Sequence, residues 1–170
     1  FWSSRFADVD NDGKKEILWF DDKDYALEIL TNTGGNNYAE LTKLPYYRSG
    51  NFLSEASSQN VIVEDFFKNG YRQIIFTNSF ESHTSDLPQT AISIYSSAPP
   101  GSNNDADFHR IFLDSTYRSI RADNVICGDF DGDGIKEFAL GSVSNNSDLL
   151  QYYELTVYRS NGENFEAADV

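Results

Sequence analysis

The chain has 170 residues, of which 39% are hydrophobic and 15% aromatic, and its formal net charge at pH 7 is −14. This content predicts a folded chain with a sizeable core and excludes a disordered one. The negative charge argues against binding to nucleic acid, and no apolar run is long enough for membrane insertion. The chain contains no Met, so we expect a processed or excised piece.

Three stretches of the chain share one plan, which predicts four strands in each of them. Each starts with a hairpin centred on Asp and Gly and continues with a short apolar strand, a longer alternating strand, a turn and a closing strand. The predicted apolar strands are 17–20, 74–77 and 138–141, the alternating strands are 25–31, 91–96 and 151–159, and the closing strands are 38–44, 108–113 and 165–170. No segment shows a helical period over ten or more residues.

The sequence therefore predicts an all-β fold built from four-stranded antiparallel units. Repetition of such units is typical of β-propeller blades. We expect one propeller segment over residues 1–170, with blades near 4–50, 59–118 and 122–170. Because propellers have about four to eight blades, further blades or other chains are expected to complete this one. A twelve-stranded β-sandwich is the alternative.

The first and third hairpins carry acids at alternate positions and predict two Ca²⁺ sites. Calcium prefers six to eight oxygen ligands, which a tightly curled loop can supply. Gly at the sixth position permits the bend, the seventh residue can offer its carbonyl oxygen, and a ninth acid can close the shell. The predicted ligands are Asp8, Asp10, Asp12, Lys14 (carbonyl) and Glu16 in the first hairpin, and Asp129, Asp131, Asp133, Ile135 (carbonyl) and Glu137 in the third.

The middle hairpin departs from this pattern at two positions. It keeps Asp65 and Asn69-Gly70 but has Phe67 at the third position and Gln73 at the ninth. Because a Phe side chain cannot bind an ion, we expect this hairpin to keep its turn without the metal. The first Asp residues of the three hairpins are at positions 8, 65 and 129, hence 57 and then 64 residues apart.

Two other interpretations of the acidic hairpins are weaker. A plain Asp/Asn/Gly turn needs only one or two such residues, whereas each hairpin has four spaced acids. An EF-hand requires an acid at its twelfth position. Trp19 and Leu140 occupy that position in the two hairpins, and neither can bind an ion.

The third hairpin, Asp129-Phe130-Asp131-Gly132-Asp133-Gly134-Ile135-Lys136-Glu137-Phe138-Ala139-Leu140-Gly141, resembles the VCBS/FG-GAP repeat, the blade unit of integrin α-type propellers. Residues 8–20 are a second match, and the middle hairpin is a weaker one. The family usually has Asp at the ninth position, where this chain has Glu16 and Glu137. Gly141-Ser142 stands where Gly-Ala-Pro is typical, which favours the VCBS-like subtype.

The resemblance implies a propeller whose hairpins are held by calcium, in an extracellular or cell-surface protein used for adhesion or ligand display. We expect a binding scaffold with an unidentified protein or glycan ligand and with structural calcium. The alternatives are a carbohydrate-binding lectin-type propeller and a non-catalytic propeller part of a larger secreted enzyme or toxin.

No catalytic motif accompanies these features, so we predict that the chain is not an enzyme. His83 and His109 lie in no recognisable catalytic pattern, and zinc, phosphate-loop and nucleotide motifs are absent from the sequence. Irregular stretches are predicted at 46–59, 78–89, 99–107 and 142–150, where ligand contacts tend to occur. Candidate contacts are Trp2, Tyr46, Tyr47 and Arg48, for which packing between blades is the favoured alternative. Cys127 lies in an apolar run that predicts a buried thiol.

Overall fold

The computed structural model describes residues 4–21, 24–45, 58–80, 89–97, 108–114, 125–145 and 151–168. Over these ranges the regular structure consists of twelve β-strands. No helix long and apolar enough to cross a membrane is found in the described part of the chain.

The twelve strands form three four-stranded sheets, each made from strands that are consecutive in the chain. The first sheet contains β1 (Arg5–Ala7), β2 (Glu16–Asp21), β3 (Ala26–Gly34) and β4 (Asn37–Pro45). The middle sheet contains β5 (Ser58–Glu64), β6 (Gln73–Phe80), β7 (Gln89–Ser96) and β8 (His109–Asp114). The third sheet contains β9 (Val125–Gly128), β10 (Glu137–Asn145), β11 (Gln151–Ser160) and β12 (Phe165–Ala168). All neighbouring strands are antiparallel, which confirms the predicted all-β class with four-stranded units.

Four strands extend into stretches that the sequence predicted to be irregular. β5 begins at Ser58, β6 continues to Phe80, β7 begins at Gln89 and β10 continues to Asn145. Those boundaries were wrong because the backbone ladder continues through polar residues. Asn145, for example, lies opposite Gln151 at the end of the β10–β11 pair.

Two apolar cores lie between the sheets. The first core joins the first and middle sheets and contains Val9, Leu18, Phe20, Leu27, Ile29, Leu44, Ile74, Phe76, Tyr95 and Phe108. The second core joins the middle and third sheets and contains Phe66, Ile75, Ile92, Ile94, Val125, Phe138, Leu140, Tyr158 and Phe165. Since neighbouring residues of a strand point to opposite faces, Ile74 faces the first sheet and Ile75 faces the third. The middle sheet is therefore packed on both faces.

The prediction of a buried Cys127 is wrong. Cys127 is exposed on β9, an edge strand of the third sheet. In the same apolar run Val125 is buried, whereas Ile126 is 54% exposed. The apolar run does not bury the thiol because β9, as an edge strand, has a neighbouring strand on one side only.

The candidate ligand contacts Trp2, Tyr46, Tyr47 and Arg48, together with His83, lie outside the described residues. Their proposed roles stay predictions. His109 is described at the start of β8, where its side chain is exposed.

Candidate metal centres

Three loops connect the first two strands of the three sheets. They are the first loop (residues 8–16), the middle loop (65–73) and the third loop (129–137). The sixth residue of each is a Gly with positive φ: 86° at Gly13, 85° at Gly70 and 83° at Gly134. The fourth residue is also left-handed in all three loops. Gly adopts this conformation without steric cost, so the sixth residue allows each loop to curl.

Side chains of each loop bind its own backbone in a shared pattern. The first-position Asp accepts a hydrogen bond from the N–H of the sixth-position Gly. The distances are 3.1 Å for Asp8 and Gly13, 3.0 Å for Asp65 and Gly70, and 2.9 Å for Asp129 and Gly134. The fifth-position side chain accepts from the seventh N–H. Those distances are 2.7 Å for Asp12 and Lys14, 2.9 Å for Asn69 and Tyr71, and 2.7 Å for Asp133 and Ile135. The loops thus share one architecture whether they carry four acids or one.

The ninth residue braces the start of each loop. One side-chain oxygen accepts a hydrogen bond from the N–H of the second residue. The distances are 2.9 Å for Glu16 and Val9, 2.8 Å for Gln73 and Phe66, and 2.7 Å for Glu137 and Phe130. All three ninth residues are buried. The sequence pattern predicts only a metal ligand at this position and does not reveal this structural role, although the polar Gln73 in the middle loop is a signal for it.

The other terminal atom of the ninth side chain distinguishes the middle loop from the first. Gln73 Nε2 donates to the carbonyl oxygen of Tyr71, the seventh residue, at 3.1 Å. Glu16 carries a second oxygen instead, and this Oε1 is buried without a hydrogen-bond partner. Asp8 Oδ1 is also buried and unpartnered. Because a buried anionic oxygen without a donor is costly, the first loop is suited to a cation at this point.

In each of two groups, three carboxylates lie close enough together to bind one ion. Asp8, Asp10 and Glu16 each offer an oxygen within 4.8 Å of the others, and Asp129, Asp131 and Glu137 do the same. Calcium–oxygen bonds of about 2.3–2.6 Å can span such a gap. The middle loop forms no such group among the described residues.

The other predicted ligands lie outside these two trios. Asp12 and Asp133 accept the backbone bonds described above, and Asp12 also pairs with the Lys14 ammonium at 3.0 Å. Ile135 is half-buried.

The first site is the more enclosed one, and its electrostatics reflect this. Burial, together with the charges of Asp10, Asp12 and Asp8, raises the pKa of Glu16 to about 7, although the Val9 N–H opposes the shift. Burial also raises the pKa of Asp10. The pKa of Asp12 is lowered instead, by hydrogen bonds from the Lys14 backbone and ammonium.

The third site is open to solvent and already has a cationic neighbour. Asp129 and Asp131 are both exposed. Arg159 Nη2 lies 3.3 Å from Asp131 Oδ2, so a guanidinium partly neutralises one of the predicted ligands. Arg159 comes from β11, and no spacing in the sequence indicated this contact.

The three loops lie beside one another at one end of the sheets. Arg72 Nη2 of the middle loop donates to Asn11 Oδ1 of the first loop at 3.2 Å. Lys136 Nζ of the third loop donates to Glu64 Oε2, just before the middle loop, at 2.6 Å. Between the middle loop and the third sheet is a cavity of about 250 Å³, lined by Phe66, Phe67, Lys68, Ile135, Ser160, Asn161 and Gly162.

The chain matches no protein-family model, no curated protein and no solved structure. The likeness to VCBS/FG-GAP repeats therefore stays a prediction, and we infer function from the chemistry of the loops.

Proposed function

We propose that the chain is a calcium-binding β-propeller segment that acts as an extracellular or cell-surface binding scaffold. The observation that carries the metal assignment is the pair of buried, unpartnered oxygens, Asp8 Oδ1 and Glu16 Oε1. The middle loop supports the assignment by contrast. At the position equivalent to Glu16 Oε1 it has Gln73 Nε2, which donates a hydrogen bond to the Tyr71 carbonyl oxygen, so no buried oxygen there is left for a cation.

The donor set favours calcium over the common transition metals. Carboxylate and carbonyl oxygens are hard ligands, whereas zinc sites usually contain Cys or His. Asp8, Asp10 and Glu16 hold the first ion, and Asp129, Asp131 and Glu137 hold the second. The fifth-position Asp and the seventh carbonyl complete each shell. The ion offsets carboxylate repulsion of about 1–4 kcal/mol per pair.

Calcium has a structural role in this proposal. Each ion ties the beginning of a loop to its ninth residue and so joins the first two strands of a sheet. Three sheets of identical strand order, packed face to face in sequence, support the propeller arrangement. A rigid stack with its loops at one end is suited to presenting a protein or glycan ligand.

Isothermal titration calorimetry with Ca²⁺ on the chelator-treated chain tests the assignment. We expect two equivalents for the unmodified chain and one for Glu16→Gln, with dissociation constants near 10⁻⁴–10⁻³ M, as in extracellular modules. Glu163→Gln removes the same charge from an exposed turn and is the matched control, with two equivalents expected. Absence of calcium uptake by the unmodified chain would contradict the proposal.

A further inference from the structure

The eighth residue of the middle loop and of the third loop is a cation that reaches back to the preceding sheet. Arg72 of the middle loop donates from Nη2 to Asn11 Oδ1 of the first loop at 3.2 Å. Lys136 of the third loop donates from Nζ to Oε2 of Glu64, the last residue of β5, at 2.6 Å. Polar side chains therefore join each loop to its neighbour, in addition to the apolar cores between the sheets.

Glu64 links these two contacts into one continuous chain of side chains. Its Oε1 lies 3.7 Å from Arg72 Nη1, while its Oε2 accepts the hydrogen bond from Lys136. The side chains of Arg72 and Glu64 are 28% and 26% exposed, so this ion pair is partly shielded from water. Asn11, Arg72, Glu64 and Lys136 thus form a polar bridge from the first loop, through the middle loop, to the third.

Both ends of the polar bridge lie beside residues of the carboxylate trios. Asn11 directly follows Asp10, and Lys136 directly precedes Glu137. Asn11 also has a left-handed backbone, with φ of 59°, so the position of its side chain depends on the curl of the first loop. A cation that fixes either acidic loop therefore also fixes one end of the polar bridge.

The centre of the polar bridge is held in place without a metal. The Arg72 N–H donates to Ser97 Oγ at 2.7 Å, and the Arg72 carbonyl oxygen accepts from the Ser97 N–H at 2.6 Å. Gln73 closes the middle loop by accepting from the Phe66 N–H and donating to the Tyr71 carbonyl oxygen. The backbone of the middle loop is therefore a fixed support, and only the side chains of the polar bridge respond to the neighbouring loops.

We propose that the metal-free middle loop couples the two calcium sites, with Arg72 and Glu64 as positioning residues outside both carboxylate trios. An ion in the first loop fixes Asn11, which holds the Arg72 guanidinium. Arg72 in turn orders Glu64 to receive Lys136 of the third loop. The inference rests on the calcium sites proposed above.

The coupling arises from the ordering of long charged side chains. Arg, Glu and Lys side chains lose rotamer freedom when they are held in one geometry. The first ion to bind orders the polar bridge, so the second ion meets a loop whose neighbours are already ordered and binds with higher affinity. Thermodynamic linkage requires the same factor in both directions, from the first site to the third and from the third to the first.

Calcium titration calorimetry of two variants at position 16 tests the coupling. Glu16→Gln and Glu16→Ala remove the same charge, and both leave only the third site to fill. Gln can close the first loop with its own amide, as Gln73 does in the middle loop, whereas Ala leaves the first loop open. We expect the third-site dissociation constant to be about two- to fivefold lower in Glu16→Gln than in Glu16→Ala, as for partly exposed charged contacts. Equal dissociation constants would overturn the coupling.

Substitutions within the polar bridge show whether it carries the effect. Arg72→Gln and Glu64→Gln each break one link, so either should make the two position-16 variants bind the third ion with equal affinity. The comparison is made within one background, so the charge lost at position 72 or 64 affects both variants alike. A difference between Glu16→Gln and Glu16→Ala that survives both substitutions would overturn the role of the polar bridge.

A neutral substitution at the far end of the polar bridge provides a second test. In the Glu16→Gln background, Asn11→Gly removes the acceptor of Arg72 but permits the left-handed backbone, which Gly132 adopts at the same position of the third loop. The third-site dissociation constant should rise about two- to fivefold. Asn36→Gly, at an exposed turn, is the matched control and should leave it unchanged.

Failure of the coupling and failure of the metal assignment give different results. An unmodified chain that takes up two calcium ions, with a third site that ignores both position 16 and Asn11→Gly, overturns the coupling and leaves the metal proposal standing. An unmodified chain that takes up no calcium overturns both. The Asn11→Gly comparison decides the outcome if Glu16→Ala does not fold.

Discussion

Glu16 and Gln73 make the same hydrogen bond in two different loops. The Val9 N–H donates to Glu16 Oε2 at 2.9 Å, and the Phe66 N–H donates to Gln73 Oε1 at 2.8 Å. Both side chains are fully buried. The second oxygen of Glu16, which has no hydrogen-bond partner, is thus what distinguishes the proposed metal-binding loop from the middle loop, where Gln73 Nε2 donates to the Tyr71 carbonyl.

The substitution Glu16→Gln should remove calcium binding without disturbing the loop. The amide can keep the bond to Val9 and donate to the Lys14 carbonyl, as Gln73 does to Tyr71. With calcium at tenfold excess over its dissociation constant, the unmodified chain should gain about 1.4 kcal/mol of unfolding free energy from the first site. The variant should lack this gain but be the more stable chain in chelator.

Urea denaturation with calcium and with chelator measures both effects. Glu16→Ala is the comparison, because it loses the bond to Val9 and should be destabilised in either condition. An undiminished calcium response in Glu16→Gln would show that Glu16 does not bind the ion.

The calcium-free chain should lose stability as the pH rises from about 5 to 8. Burial raises the pKa of Glu16 from its usual 4.5 to about 7. In that pH range the folded chain holds a proton that the unfolded chain has released, so the free energy of unfolding decreases as the pH rises. Denaturation in chelator at several pH values should show a steeper decline for the unmodified chain than for Glu16→Gln. Identical pH profiles would contradict this assignment.

Removal of the guanidinium beside the third site should strengthen calcium binding there. Arg159 lies 3.3 Å from Asp131 Oδ2 and is largely exposed, so the ion pair contributes at most about 1 kcal/mol. In a Glu16→Gln background, which isolates the third loop, Arg159→Gln should lower the calcium dissociation constant by about two- to fivefold. Arg159→Lys keeps the positive charge, so its calcium dissociation constant should stay close to that of the Glu16→Gln variant. A weaker site after Arg159→Gln would show that the arginine supports the loop rather than competing with the ion.

The middle loop should acquire a calcium site when acids are supplied at its third and ninth positions, with Asn69 kept at the fifth. Phe67→Asp combined with Gln73→Glu restores the first-loop pattern at the third and ninth positions. A third equivalent should then appear by calorimetry. The loss of the Phe67–Phe165 ring contact, with centroids 5.3 Å apart, should destabilise the chain by about 0.5–3 kcal/mol. Gln73→Glu alone should bind no third ion, and a third equivalent in that single variant would refute the role given to the third position.

Local pattern predicted the strands and the loop curl well, because both depend on neighbouring residues. Short apolar runs predicted strands such as β2, alternating residues predicted β3, β7 and β11, and a Gly at the sixth position permits positive φ. Features that depend on tertiary pairing were not predictable. The extension of β10 to Asn145 depends on its partner β11, and the exposure of Cys127 depends on its place at a sheet edge. Arg159 reaches Asp131 from a distant strand, which no local spacing reveals.

The most direct test is a crystal structure of the chain grown with calcium, with the ions located by anomalous scattering. We expect one ion bound by Asp8, Asp10 and Glu16 and one bound by Asp129, Asp131 and Glu137, at calcium–oxygen distances of about 2.3–2.6 Å. No ion is expected beside Gln73. The calcium assignment would be contradicted if both acidic loops were empty at saturating calcium, or if an ion were bound in the middle loop.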